Sequence, residues 1–472
     1  MGVHTELFAR YFAGLALESA PAEIQETARW LILDTLGCAA AGAETGPAAA
    51  IHEVSQLFGG KTGALQIGKY DAVGVTQAVY ANTRLANLLD FDETYPVGVH
   101  FGNAAVMAAI GAAQCEQRTS RDILIGVIAG YEAGARMASA IGPMMHISDG
   151  AVTGFSQVWG VAAPVVLAAC VAYGRTLGVT SEIMNQSIGI AASNIPLPIG
   201  SKWSSATDLP DVKYCDAGWC SVAGIHGVYS AIAGLSGFSD VLDGPVGIPE
   251  AYSASVADAS MLCSALGERW HLADITFKPW PSCRFMHAPM TALARILEVA
   301  NVTPESITEI EIQTGPLADS SRFRNPEPKT FCSFQFSYPH VVAMMVLGVP
   351  PGPAWFDPDV AQQPAALALR DKTRIVQHAA GDTFARAMMN NQIRAMPGGA
   401  VVKTKTCSWE ESTDYAKGDP WDEATRYTEE DIIGKFRDVC QNNASNDDLI
   451  EWLKRMHCSQ DLGALNQFMR EI

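Results

Sequence analysis

The sequence predicts a mainly α protein with a large all-helical domain over residues 1–268 and a smaller α+β lid domain over 269–408. A C-terminal helical segment, 409–472, is expected to pack back on the first domain. Three observations carry this. Up to about residue 240 the chain is rich in Ala and Gly, with no strong strand pattern. Near residue 270 the texture changes and alternating runs appear, and from about Thr428 helical signals return. With 472 residues, 48% hydrophobic and 17% charged, the chain can build a sizeable core and is too apolar for disorder.

The elements follow in order. Pro21 and Glu23 suit a first helical turn, Ile24, Ala28, Leu31 and Ile32 keep helical spacing, and Gly37 reads as its end. The stretches Val158 to Gly174 and Ala217 to Phe238 lack the Leu, Ile and Phe content of membrane spans. Their Ala, Gly and Ser fit buried helices of a soluble domain. "DITFKPWPSCRFMHAPMTALARILEVA" reads as a strand-like start, a Pro-broken loop and a helix. In "SITEIEIQT", Ile310, Ile312 and Thr314 alternate with Glu309, Glu311 and Gln313, as in a half-buried strand. "KTFCSFQFSYPHVVAMMVLG" runs into another helix. In "PGGAVVKTKT", Val402, Thr404 and Thr406 alternate with Lys403 and Lys405. "TEEDIIGKF" opens on a threonine cap followed by acids, which favour a helix start.

A formal net charge of -18 excludes nucleic acid and anionic membranes as general partners, since both need a basic surface. An anionic small substrate then requires cations gathered locally. The 11 cysteines are scattered from Cys38 to Cys458, with no CxxC. That argues against a disulfide framework and a structural zinc site, and for reduced thiols in a cytoplasmic setting. The first residues show no basic start followed by an apolar run, so no signal peptide is expected.

Three stretches can carry chemistry. "LLDFDETYPVGVH" holds Asp90, Asp92 and Glu93 close together, then Thr94 and His100. Clustered carboxylates invite Mg²⁺ or Ca²⁺, but the spacing is not that of a calcium loop, so no metal is expected. Either this is a solvated loop after a helix, or Asp90 orients a partner, Thr94 donates to a carboxylate and His100 moves a proton. Lys213 stands before an uncharged helix, where a lysine either snorkels to water or faces an anion. In "FKPWPSCRFMHAP", Lys278, Arg284 and His287 cluster in a Pro-stiffened loop, which points to anion binding.

"RWLILDTLGCAAAGA", "LLDFDETYPVGVH", "VKYCDAGWCSVAGIHGVYSAIAGLSGF" and "FKPWPSCRFMHAPMTAL" resemble successive blocks of the MmgE/PrpD superfamily, in order and over nearly the whole chain. That superfamily includes 2-methylcitrate dehydratase, cis-aconitate decarboxylase and iminodisuccinate epimerase. The resemblance implies a homodimer with an active site between the two domains and neither metal nor organic cofactor. It carries the family's acid, threonine and histidine onto Asp90, Thr94 and His100, and its two lysines onto Lys213 and Lys278. Where the family usually has a further histidine, this chain has Trp159, and Phe101 follows His100 where many members carry proline.

The family's reactions share a carbanion beside a carboxylate, which needs cations where charge builds up and a proton shuttle near neutral pH. The expected roles are therefore catalytic for His100, Asp90, Lys213 and Lys278, and substrate-binding for Thr94, Arg284, His287 and Trp159. The expected activity is a cofactor-independent lyase on a small di- or tricarboxylate, dehydratase-like on the pattern of 2-methylcitrate dehydratase. A cis-aconitate-type decarboxylase, an epimerase or isomerase, and a carboxylate-binding homologue without turnover remain open beside it.

Overall fold

The computed structural model describes residues 3–143, 145–148, 151–253, 257–315, 320–381, 383, 394–441 and 443–472. The Ala- and Gly-rich half forms long helices, among them Ala22–Ala43, Val75–Leu88, Gly102–Cys115, Ser120–Ile141, Ala162–Leu177 and Ala217–Ile232. Ala162–Leu177 is surrounded, packing on Gly102–Cys115, Ser120–Ile141 and Ala217–Ile232. Small residues permit this. A Cβ on Gly224 would lie 2.7 Å from the Val166 carbonyl oxygen and the Cys170 nitrogen, so only glycine lets these two backbones meet. Among the described residues, no helix is long and apolar enough to cross a membrane.

Two expectations for this half need correction. It is not all-helical: β1 (Thr62–Leu65) pairs antiparallel with β2 (Ala72–Gly74), and β3 (Met145–Ser148) with β4 (Ala151–Phe155). Strands this short carry too few alternations to register as a period-2 pattern. Nor does Gly37 end its helix, which continues to Ala43. Gly37 is instead a notch for the Phe436 ring, whose Cδ2 would lie 3.1 Å from an added Cβ.

The second half holds a four-stranded sheet in the order β6 (Thr373–Gln377), β5 (Ile307–Thr314), β7 (Gly398–Thr404), β8 (Ser408–Thr413). β5 runs parallel to β6 and antiparallel to β7, and β7 antiparallel to β8. β8 extends the sheet past residue 408. The alternation read in β5 holds, with Ile307, Ile310 and Ile312 buried. The His287–Val299 helix lies against β5, β7 and β8.

Several contacts join the halves, and two bear on the site. Thr94 and Thr276 exchange backbone hydrogen bonds of 2.9 and 3.0 Å, which is all the strand-like start of "DITFKP" amounts to. The Glu429–Val439 helix, begun by a Thr428–Asp431 capping box, packs on Ala22–Ala43. From it the buried Lys435 ammonium reaches Asp34 at 2.6 Å and donates to the Phe91 carbonyl at 2.7 Å.

Gly224→Val is expected to lower the urea midpoint of unfolding by an amount equal to about 1–3 kcal/mol, the usual range for overpacking. An unchanged midpoint would show that the two helices can part without penalty.

Candidate active site

The chain leaves the Val75–Leu88 helix through Asp90, whose φ of 55° is left-handed. Lys213 is also left-handed, at φ 51°. Aspartate tolerates this conformation through local hydrogen bonds, whereas for lysine it is uncommon and needs support from its surroundings. The support is mutual. The Lys213 Nζ donates to the Asn87 carbonyl at 2.6 Å and lies 3.3 Å from Asp90 Oδ1. Lys278 Nζ approaches the same carboxylate from the other side, 3.2 Å from Oδ2, and donates to the Asp90 and Ser282 carbonyls at 2.7 and 3.3 Å. All three side chains are buried, so Lys213 is no snorkelling surface residue. Burial alone would raise the Asp90 carboxyl, but the Lys278 and Lys213 ammoniums reverse that and hold it far below the usual carboxylate range.

His100 closes the cluster. Its Nε2 is 3.9 Å from Asp90 Oδ1 and its Nδ1 3.6 Å from Asp92 Oδ1. The ring lies parallel to Tyr214, with centroids 5.7 Å apart. Burial, and then the nearby Lys278 charge, lower its pKa to about 4. The imidazole is therefore neutral at pH 7. Its Nδ1 makes no hydrogen bond, and neither does the buried Thr94 hydroxyl. Both atoms are buried polar groups left without a hydrogen-bond partner among the described residues.

The other two acids serve the scaffold. Asp92 accepts from Asn87 Nδ2 at 3.0 Å and Asn103 Nδ2 at 2.6 Å. Glu93 Oε1 accepts from the Phe101 and Gly102 amides at 3.0 and 2.6 Å, which clamps the start of the Gly102–Cys115 helix just after His100. Burial, reinforced by Asp92, pushes Glu93 up to about 8. Donor atoms of Asp90, Asp92 and His100 lie within 4.8 Å of one another. Yet both Asp90 oxygens already face an ammonium, so a divalent ion there would sit beside two positive charges, and the donor set fits one poorly.

Arg284 and His287 lie next to the Lys278 loop. Arg284 is paired with the buried Asp419, which also accepts from Thr276 Oγ1 at 3.1 Å and the Ala416 amide at 2.8 Å. His287 is fully buried, with Nε2 3.1 Å from Ser282 Oγ. It braces the residue whose carbonyl receives Lys278. Trp159 is buried too, its ring edge-on to Trp203 with centroids 4.5 Å apart. Trp203 in turn meets the edge of Tyr214. Trp159 thus connects to His100 through two aromatic rings. Sequence reading passed over Tyr214 and Trp203. The aromatic in "KYCDAGW" directly after Lys213 was the available signal for the first. A cleft of about 360 Å³ runs along Trp203, Lys213 and Tyr214, with the exposed Lys202 at its rim.

The MmgE/PrpD N-terminal domain matches residues 6–258 and the MmgE/PrpD C-terminal domain residues 280–457. The chain is 24% identical over 372 residues to a cis-aconitate decarboxylase of Aspergillus terreus, covering 73% of this chain and 72% of the relative. It is 26% identical over 309 residues to the mouse cis-aconitate decarboxylase, covering 64% and 60% of the two chains. For the human cis-aconitate decarboxylase the figures are 23% over 295 residues, 62% and 59%.

His100 is expected to stay neutral from pH 8 down to pH 5, with a midpoint at about 4. Because folding lowers its pKa, the linked stability is present above the unfolded value of about 6.5 and is lost as pH falls toward 4. Imidazole ¹⁵N shifts, assigned by their loss in His100→Gln, report this directly. A midpoint of 6.5 or above would overturn the buried, cation-flanked environment.

Proposed function

The chain belongs to the MmgE/PrpD family, and on that premise we propose that it is a lyase acting on a small polycarboxylate through a carboxylate-stabilised carbanion. One observation carries the reading: two buried ammoniums converge on Asp90 beside a neutral imidazole and an unbonded hydroxyl. The lysines supply positive charge where an enediolate would form. Thr94 supplies a hydroxyl donor to a carboxylate, and His100 supplies the proton carrier.

Within that class we place decarboxylation of an aconitate-like tricarboxylate first, on the support of relatives that carry this activity in their names. In that reaction the bond from a methylene carbon to its carboxylate breaks and CO₂ leaves. The electron pair forms a terminal double bond, the original double bond shifts, and the carbon beside a remaining carboxylate becomes the carbanion. It then takes one proton. A single proton carrier is enough, which suits a site where Trp159 stands in place of a second histidine. A bound polyanion adds negative charge beside His100, the same influence that Asp90 and Asp92 already exert. It raises the affinity of the ring for the proton that it delivers. Dehydration of a 2-methylcitrate-like acid is the second reading, and the neutral resting state of His100 favours it. A free imidazole can abstract the proton α to a carboxylate before the β-hydroxyl departs.

Proton NMR in D₂O with citrate-like, aconitate-like and aspartate-derived acids separates these outcomes. Decarboxylation gives a CO₂-depleted, monodeuterated product. Dehydration gives an unsaturated acid, and epimerisation deuterium exchange without loss of mass. Absence of turnover and exchange with every acid would overturn the proposal. With a turned-over acid in hand, Lys213→Ala and Lys278→Ala are each expected to reduce kcat/KM about tenfold to a hundredfold, the worth of a charge-assisted bond. His100→Gln is expected to reduce kcat by about 10²–10⁴ while binding persists. EDTA is expected to leave turnover unchanged, and rescue by Mg²⁺ or Zn²⁺ would return the carboxylate cluster to consideration as a metal site.

A further inference from the structure

Arg322 is 3% exposed and has no acidic partner among the described residues. Its guanidinium stacks on Trp203, 3.9 Å from the ring centroid, and its Nη2 donates to the Trp203 and Ser204 carbonyls, each at 2.5 Å. The Nε and Nη1 donors are buried and have no hydrogen-bond partner among the described residues. Other buried arginines differ. Arg84, Arg136 and Arg284 lie beside Asp216, Glu132 and Asp419. Arg370 also lacks an acid, but both of its terminal nitrogens are bonded, to the Pro326 and Ala361 carbonyls and to His340. A guanidinium cannot shed its charge, and burying it unpaired costs several kcal/mol, so a chain that keeps one gains when an anion joins it.

The position of Arg322 says which anion. Trp203, on which it stacks, lines the cleft with Lys213 and Tyr214 and touches the edge of Tyr214, which in turn stacks on His100. The Cys283 thiol feels the charges of Asp90, Lys278 and Arg322, which puts the arginine on the same side of the site as Lys278. We infer that Arg322 is a specificity-determining residue: it receives a substrate carboxylate remote from the one held at Lys213 and Lys278, and so selects tricarboxylates over dicarboxylates. This rests on the carbanion reading above and adds the substrate's charge count to it. The aromatic wall of Trp159, Trp203 and Tyr214 then spaces the two cationic poles.

The test compares wild type, Arg322→Gln and Arg322→Lys with cis-aconitate and citrate as tricarboxylates and with itaconate and mesaconate as dicarboxylates. Calorimetric Kd is measured for all four, and KM and kcat for whichever are turned over. Arg322→Gln is expected to weaken tricarboxylate binding about tenfold to a hundredfold, with dicarboxylate binding within threefold of wild type and kcat nearly kept. Arg322→Lys is expected to recover part of the loss, since a point charge replaces the planar one. Equal weakening for both classes, accompanied by a lower Tm or altered Trp fluorescence, would overturn the inference and leave Arg322 as a clasp on Trp203. So would unchanged tricarboxylate binding. If the wild type binds none of the four acids, the polycarboxylate reading itself fails and the inference falls with it.

Discussion

Everything in the candidate site depends on one carboxylate held between two ammoniums. Asp90 belongs to the turn after one helix, Lys213 to the turn before another and Lys278 to a loop of the second half. Three charges buried together are tolerable only as a set. Removing Asp90 would leave two ammoniums facing each other without water, and removing either lysine would weaken the field that keeps Asp90 ionised. The same set supports the left-handed backbone at Asp90 and Lys213, and its lysines add to the lowering that burial imposes on the proton affinity of His100.

How much of this the sequence disclosed varies with the range of the interaction. Short-range signals were legible. The Thr428–Asp431 cap and the alternation of Ile310 and Ile312 depend on neighbours a few residues away, and both appear as read. The convergence of Asp90, His100, Lys213 and Lys278 was legible only through family resemblance, because nothing local joins residues so far apart. What stayed hidden has the same root. Asp419, the partner of Arg284, lies 135 residues away. Gly37 looked like a helix end because the ring that fills its notch belongs to Phe436. The amides that Glu93 accepts from belong to the start of the next helix. Residue type was visible, and the partner was not.

The acidity of the whole and the basicity of the site are compatible for the same reason. A net charge of -18 is a property of the surface, screened by salt over about 10 Å. The cations that matter are inside, where water does not screen them. Burial first, and then their field, lowers the His100 pKa below its usual value, while Asp92 and Asp90 oppose that. A polyanion entering such a site meets cations already desolvated and oriented.

The reach between Asp90 and Lys278, 188 residues along the chain, has a consequence for how the protein comes into being. During synthesis the helices Gly102–Cys115, Ser120–Ile141 and Ala162–Leu177 can pack as they emerge, since they contact one another. The Asp90 turn cannot settle until Lys278 has been made, nor can Phe91 meet Lys435 until the Glu429–Val439 helix is complete. Closing loops of that length is slow and entropically opposed. The nascent helical half therefore carries an unfinished, acid-lined turn until Lys278 and then Lys435 have joined it. Damage that loosens the Glu429–Val439 helix takes away the Lys435 contacts to Asp34 and to the Phe91 carbonyl, the residue next to Asp90.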